Sequence, residues 1–174
     1  MSEPELWGFL NRELARLNTI IDCYKKLEAI INIKDDRYNQ SLRIILDSLL
    51  RTTSIGLANF FDKTKGTWSL YRFQNMPESY SKSVDILKDE ASKIIVLRHN
   101  RLSHLSKNIQ HENNFILLSS VGISLVENLV TRIHDLLTMV SKEKHYNSTY
   151  ALEWVGVETS LQCLIEDLTK EGHV

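Results

Sequence analysis

The sequence predicts an all-α protein, an up-and-down bundle of about five helices. Apolar residues recur in steps of three and four over long stretches, which is the period of an amphipathic helix. Only 6 glycines and 2 prolines occur in 174 residues, so few positions would interrupt a helix. Polar segments separate the periodic stretches, and the length suits a single helical domain, residues 1–174, with a sizeable core.

Two long helices are predicted at the start of the chain. The first covers residues 4–33, and Ser2 followed by Glu5 is a typical helix-start signature. The second covers residues 37–61, after a polar break whose aspartates can cap it. Gly56 in this second helix either permits close packing of a neighbouring helix or is simply tolerated, and the sequence leaves both interpretations open.

A connector of unusual length follows, residues 62–79, where about two to eight residues are usual in a bundle. Its three aromatic residues favour a packed segment with a short helical piece over residues 69–73. The third long helix then begins near Glu78. Its apolar stripe runs through Val84, Leu87, Ala91, Ile94, Ile95, Arg98, Leu102 and Leu105.

The last two helices are predicted from the same period. A turn cluster at residues 108–113 precedes the fourth long helix, which reaches Val140. A polar loop over residues 144–150 leads to a final helix over residues 152–170.

Composition narrows the function classes. The net charge of −1 means that any nucleic-acid binding must come from a local patch. Cys23 and Cys163 match neither a disulfide framework nor a zinc motif, which favours a reducing, cytoplasmic setting. The first residues lack the pattern of a signal peptide, and the longest uncharged run, residues 113–126, is too short and polar to span a bilayer. We therefore expect a cytoplasmic protein with no membrane partner.

One window stands out, residues 97–107, with the sequence LRHNRLSHLSK. It carries five basic or imidazole side chains and no acid, since the flanking acids are Glu90 and Glu112. Arg98 falls on the apolar stripe, where a charge is costly unless a negative or polar group meets it. Phosphate is the group that we expect to meet it.

The spacing within the window suits phosphate chemistry. Arg98, Arg101 and His104 follow an i, i+3, i+6 row, and Asn100 shares a face with His104. Such a group can surround a phosphate with charge-assisted donors while an imidazole exchanges protons. This combination fits RNA cleavage by the ribose 2′-hydroxyl without a metal or other cofactor. The alternative is a basic patch that interacts with a helix dipole, and composition alone favours that alternative.

The window resembles the signature of the HEPN superfamily. The matching residues are Arg98, the polar His99 beside it, and His104 preceded by the small Ser103. Within that superfamily the chain looks most like the abortive-infection branch, which carries a Phe-Asp segment and a Ser-Leu pair upstream. Here these are residues 60–63 and 69–70, and the resemblance covers roughly residues 42–140.

The resemblance implies a helical bundle, a homodimer with the site at its interface, and metal-independent endoribonuclease activity on RNA. Such proteins often act as toxins of toxin–antitoxin or phage-defence systems, which implies an antitoxin protein as a further partner. Arg98 and His104 would be catalytic, and we expect His99, Asn100 and Arg101 to contact the substrate. Ser106 stands where some relatives carry a tyrosine that is modified, so that form of regulation is not expected.

Two interpretations from different classes remain. The first is the endoribonuclease, in which a two-fold dimer supplies a second histidine so that one acts as acid and one as base. The second is a non-catalytic HEPN-like module that binds a partner protein, RNA or a nucleotide through the same patch. Asp62 either orients a motif side chain or caps the connector, and Lys63 and Lys65 either extend a phosphate-binding surface or are solvated.

Overall fold

Five α-helices and one short 3₁₀ helix make up the part of the chain that the structure describes. The structure is a computed structural model, and it describes residues 2–31, 36–97 and 123–146 together with Cys163. The α-helices are α1 (Glu3–Ile31), α2 (Asp36–Phe60), α3 (Glu78–Glu90), α4 (Ser92–Leu97) and α5 (Ile123–Lys144), and the 3₁₀ helix is Leu70–Arg72. The predicted all-α class is confirmed. The predicted final helix lies outside the described residues except for Cys163, which is exposed.

The helices close into a ring, because α1 packs against α2 and α5, α3 packs against α5, and α4 packs against α2. Helices α1 and α2 are antiparallel. Leu27, near the end of α1, shares a small buried cluster with Leu42, near the start of α2. Leu17, in the middle of α1, lies beside Gly56, near the end of α2. The two helices therefore run in opposite directions.

Helix α5 runs antiparallel to α1. The Trp7 indole Nε1 donates a hydrogen bond of 2.9 Å to the carbonyl oxygen of Leu137 near the end of α5. At the opposite end of the pair, Lys25 Nζ lies 2.7 Å from Glu127 Oε1.

Helix α3 is also antiparallel to α5. Glu90 at the end of α3 pairs with Arg132, while Gln74, just before α3, accepts a 2.7 Å hydrogen bond from Lys144 at the end of α5. With the two preceding pairs, this alternation of directions gives the up-and-down arrangement that the sequence predicts.

One apolar core joins every described helix and the connector after α2. Its members come from positions that the helical period assigns to the inner faces. The largest of them that are fully enclosed are Leu10, Leu17, Leu57, Phe60, Leu70, Leu87, Ile94, Leu129, Ile133 and Leu137. Each buried leucine or phenylalanine stabilises the fold by about 1.5–3 kcal/mol relative to an exposed one.

The third predicted helix is divided at Ala91. Its φ of −75° and ψ of −1° depart from α-helical values, so α3 ends at Glu90 and α4 starts at Ser92. The amide of Ala91 still donates to Leu87 and the amide of Ile95 to Ala91, both over 2.9 Å. The apolar stripe therefore continues through the break, with Ala91 and Ile94 fully buried.

Helix α5 ends in a Schellman motif. His145 adopts a left-handed conformation with φ of 55°, and the amide of Tyr146 donates to the carbonyl of Ser141 over 3.0 Å. The Ser141 hydroxyl returns a 2.9 Å hydrogen bond to the carbonyl of Tyr146. Within the described ranges, none of the helices is both long and apolar enough to cross a membrane.

Candidate functional site

The residues predicted to carry chemistry lie outside the described residues. These are Arg98, His99, Asn100, Arg101 and His104, all of which follow directly on the last residue of α4. Their predicted roles therefore stay predictions. The structure does describe the helix that precedes them and the upstream segments that accompany the motif in the HEPN resemblance.

Helix α4 leads into the motif from a fixed position. Ile94 is fully buried and Ile95 is half-buried against the core, while α4 as a whole packs on α2. Ala91, one turn earlier, is also fully buried. The predicted stripe is thus confirmed as far as Ile95, and the helical period assigns Arg98 its next position.

The Phe-Asp segment ends α2 and starts the connector. Phe60 and Phe61 are buried core residues. The carboxylate Oδ1 of Asp62 accepts a 2.8 Å hydrogen bond from the amide of Thr64, and the hydroxyl of Thr67 donates 3.2 Å to the carbonyl of Asp62. Of the two interpretations of Asp62, its role in capping the connector is confirmed, and a role in orienting the motif stays a prediction.

The Ser-Leu pair belongs to the core. Ser69 and Leu70 are both fully buried, and the phenol of Tyr80 donates a 2.9 Å hydrogen bond to the carbonyl of Leu70. Among the described residues the hydroxyl of Ser69 has no hydrogen-bond partner, which makes it a costly group to bury. The predicted helical piece is present as the 3₁₀ helix that follows Ser69.

Lys63 belongs to a cluster on the outside of the connector. Its Nζ lies 3.4 Å from Asp85 Oδ1 and 4.2 Å from the ring centre of Tyr71, whose hydroxyl donates a 2.8 Å hydrogen bond to the same carboxylate oxygen. The hydrogen bond from Tyr71 outweighs desolvation and, with Lys63, lowers the pKa of Asp85. Burial, followed by this hydrogen bond, raises the pKa of Tyr71. Lys65 in the same turn is exposed.

The described histidines and tryptophans have structural or surface positions. His134 is exposed in the middle of α5, and His145 is exposed just after its end. Trp7 is buried and hydrogen-bonded, whereas Trp68 is 42% exposed. His111 and Trp154 lie outside the described residues.

A cleft that the sequence did not predict lies between the start of α1 and the connector. It has a volume of about 370 Å³ and is lined by Ser2, Glu3, Leu6, Gly66, Thr67, Trp68, Arg72 and Gln74. Glu3 and Arg72 are far apart in sequence, so no local pattern could bring them together. The signal that the sequence offered was a tryptophan between a predicted glycine turn and an arginine.

In the described part of the chain, no three histidine, cysteine or acidic side chains gather closely enough to hold a metal ion. Comparison with protein-family models, with curated proteins and with solved structures finds no match to this chain.

Proposed function

We propose that this protein is a metal-independent endoribonuclease of the HEPN type, which acts in the prokaryotic cytoplasm as a toxin or in phage defence. The observation that carries the proposal is the pair Arg98 and His104 in an acid-free basic window. The window begins where α4 ends, on a helix that the core anchors through Ile94.

The position that the sequence predicts for the arginine supports the proposal. The stripe of Ala91 and Ile94 is buried, and the helical period gives Arg98 the next position on it. A guanidinium there requires an anion or a polar interface, because an unpaired buried charge is strongly destabilising. An RNA phosphate at an interface between two copies satisfies that requirement.

The reaction that these groups support is an internal displacement at phosphorus. One His104 removes the proton from the ribose 2′-hydroxyl, and the resulting oxygen attacks the adjacent phosphorus. The bond to the 5′-oxygen breaks, and that oxygen takes a proton from the His104 of a second copy. Arg98 stabilises the charge of the five-coordinate phosphorane. The products are a 2′,3′-cyclic phosphate and a 5′-hydroxyl, and DNA is not a substrate because it lacks the nucleophile.

The direct test is cleavage of mixed RNA by the purified protein in the presence of a chelator. The wild-type protein should cleave it, and both His104→Ala and Arg98→Ala should lower the rate by about 10²-fold or more. His134→Ala is the matched control, because His134 is an exposed histidine on α5 outside the motif. Intact RNA with the wild-type protein, or equal cleavage by His104→Ala, would exclude the catalytic proposal.

A non-catalytic binding module is the second candidate, and the basic window also supports it. It predicts that the wild-type protein binds RNA without cleaving it and that His104→Ala changes neither property. Expression in a bacterial host separates the two candidates cheaply. The toxin should arrest growth, and His104→Ala should relieve the arrest while His134→Ala should not.

The proposed homodimer follows from the need for two proton-transfer groups. Light scattering on the eluting gel-filtration peak should give twice the 20.2 kDa mass of the chain. A monomer that still cleaves RNA would show that one chain supplies both the acid and the base.

A further inference from the structure

The cleft beside the start of α1 has the size of a small-molecule site. Its volume of about 370 Å³ falls in the range of ligand sites, which is about 300–1,000 Å³. The buried side chain of Leu6 contributes an apolar surface, while Gln74 and Ser2 contribute polar groups at exposed positions.

Trp68 provides an aromatic surface at this cleft. Its ring meets Phe9 edge-on, which holds the indole in place, yet 42% of the residue remains exposed to solvent. Trp7, by comparison, is 6% exposed, and its indole nitrogen donates a hydrogen bond to the carbonyl of Leu137. A large aromatic residue that is held by a neighbour but left open to solvent is typical of a stacking surface for a planar ligand.

The acidic side chain that lines the cleft is already neutralised. Glu3 Oε1 accepts a 2.6 Å hydrogen bond from the amide of Gln74, and Oε2 lies 3.3 Å from Lys144 Nζ and 3.2 Å from the hydroxyl of Tyr146. The positive charge of Lys144 therefore offsets the negative charge of Glu3.

The basic side chain that lines the cleft is held by backbone carbonyls. Arg72 Nε donates to the carbonyl of Thr67 over 3.2 Å, and Nη2 donates to the carbonyls of Lys63 and Thr64. These carbonyls orient the guanidinium but carry no net charge. The cleft thus presents one oriented positive charge.

We propose that this cleft binds a nucleotide, with the base stacked on Trp68 and the phosphate paired with Arg72. An aromatic surface beside an oriented guanidinium matches a planar base that is joined to an anion. Two sources share this chemistry, namely a free mononucleotide and a nucleotide within an RNA strand. The site uses no residue of the basic window, so it does not depend on the proposed cleavage reaction.

The probe is adenosine 5′-monophosphate, and the reporter is the fluorescence of Trp68. In a Trp154→Phe background, Trp7 and Trp68 are the two remaining tryptophans, and of these Trp68 is the exposed one. The nucleotide should quench this fluorescence in a saturable way with a Kd on the order of 0.1 mM. Adenosine should bind about tenfold more weakly because it lacks the phosphate.

Three variants test the assignment, and calorimetry measures their affinity. Ser2→Phe should fill the cleft and weaken binding by about tenfold or more while leaving Trp68 in place. Arg72→Gln should reduce the affinity for the nucleotide to that for adenosine. Lys65→Gln is the matched control, because it removes an exposed charge from the same turn without altering the cleft lining, and it should leave the Kd unchanged. Circular dichroism confirms that each variant is folded.

Absence of saturable quenching, or an unchanged Kd in a folded Ser2→Phe variant, would overturn the proposal. Single-stranded RNA added to the His104→Ala protein then identifies the source. If the RNA competes with the mononucleotide, the cleft binds a nucleotide within an RNA strand. If the RNA does not compete, the cleft binds a free nucleotide. Nucleotide binding without RNA cleavage would exclude the proposed endoribonuclease activity but not the nucleotide site. RNA cleavage without nucleotide binding would exclude the nucleotide site but not the endoribonuclease activity.

Discussion

Gly56 on α2 approaches Leu17 on α1 so closely that a methyl group on Gly56 would lie 2.7 Å from Leu17 Cδ2. Leu17 is fully buried, so its side chain has little space in which to move away. Of the two interpretations of Gly56 that the sequence left open, close packing of a neighbouring helix is confirmed. The absence of a side chain at Gly56 makes room for Leu17 between α1 and α2, and α2 in turn packs against α4.

Gly56→Ala should therefore lower the free energy of unfolding, measured by urea denaturation. Overpacking costs about 1–3 kcal/mol, which outweighs the gain of about 1 kcal/mol in helix propensity. Ser48→Ala, at an exposed position of α2, is the control and should change the stability little. A protein with both Gly56→Ala and Leu17→Ala should lose less unfolding free energy than the sum of the losses caused by the two single substitutions. A stabilised Gly56→Ala protein would contradict the close contact.

The hydrogen bonds of Glu3 should make stability depend on pH. Desolvation is the largest single influence and opposes ionisation. The hydrogen bonds from Gln74, Lys144 and Tyr146, together with the charge of Lys144, outweigh it and lower the pKa of Glu3 from its ordinary 4.5. The carboxylate thus stabilises the fold fully above that ordinary pKa, and this contribution is lost as the pH falls through the lowered value.

Glu3→Gln should accordingly be less stable than the wild type at neutral pH, by about 1 kcal/mol. The difference should shrink in acid, as the pH falls through the lowered pKa of the wild-type carboxyl. Urea denaturation at both pH values measures it. Glu143→Gln, at an exposed position of α5, should show no such difference. A gap between wild type and Glu3→Gln that widens in acid would contradict the assignment.

The two buried serines should respond in opposite ways to replacement by alanine. Ser69 is fully enclosed, and its hydroxyl has no partner in the part of the chain that the structure describes. The hydroxyl of Ser54, which is 1% exposed, instead donates a 2.8 Å hydrogen bond to the carbonyl of Leu50. Ser69→Ala should raise the unfolding free energy by about 1 kcal/mol, because it removes an unsatisfied polar group. Ser54→Ala should leave it unchanged or lower it by up to about 1 kcal/mol. Destabilisation by Ser69→Ala would show that its hydroxyl has a partner.

The long amphipathic helices were predictable because many apolar residues recur on the same face of each helix. The predicted range 37–61 differs from α2 by one residue at each end, and the predicted start of the first helix, residue 4, differs from the start of α1 by one residue. The division at Ala91 was not predictable, because alanine favours helices and the apolar stripe continues across it. Trp68 packs against Phe9, as a packed connector predicts, but its 42% exposure was not predictable, since the exposure of one aromatic residue depends on neighbours that are distant in sequence.

The two candidate sites differ in how far apart their residues lie in the sequence. Arg98 and His104 are six residues apart, so one short window carries the motif and their proposed chemistry. The cleft instead joins Glu3 with Arg72, and only the folded chain brings these two side chains together. Its charge balance also depends on Lys144, at the end of α5.

The most direct test of the proposed reaction is the identity of the RNA ends that the protein leaves in a chelator. Attack by the 2′-hydroxyl predicts 2′,3′-cyclic phosphates in fragments from the wild-type and His134→Ala proteins, and none from His104→Ala. Fragments that end in a 3′-hydroxyl, or cyclic ends that persist in His104→Ala, would contradict the assignment of Arg98 and His104.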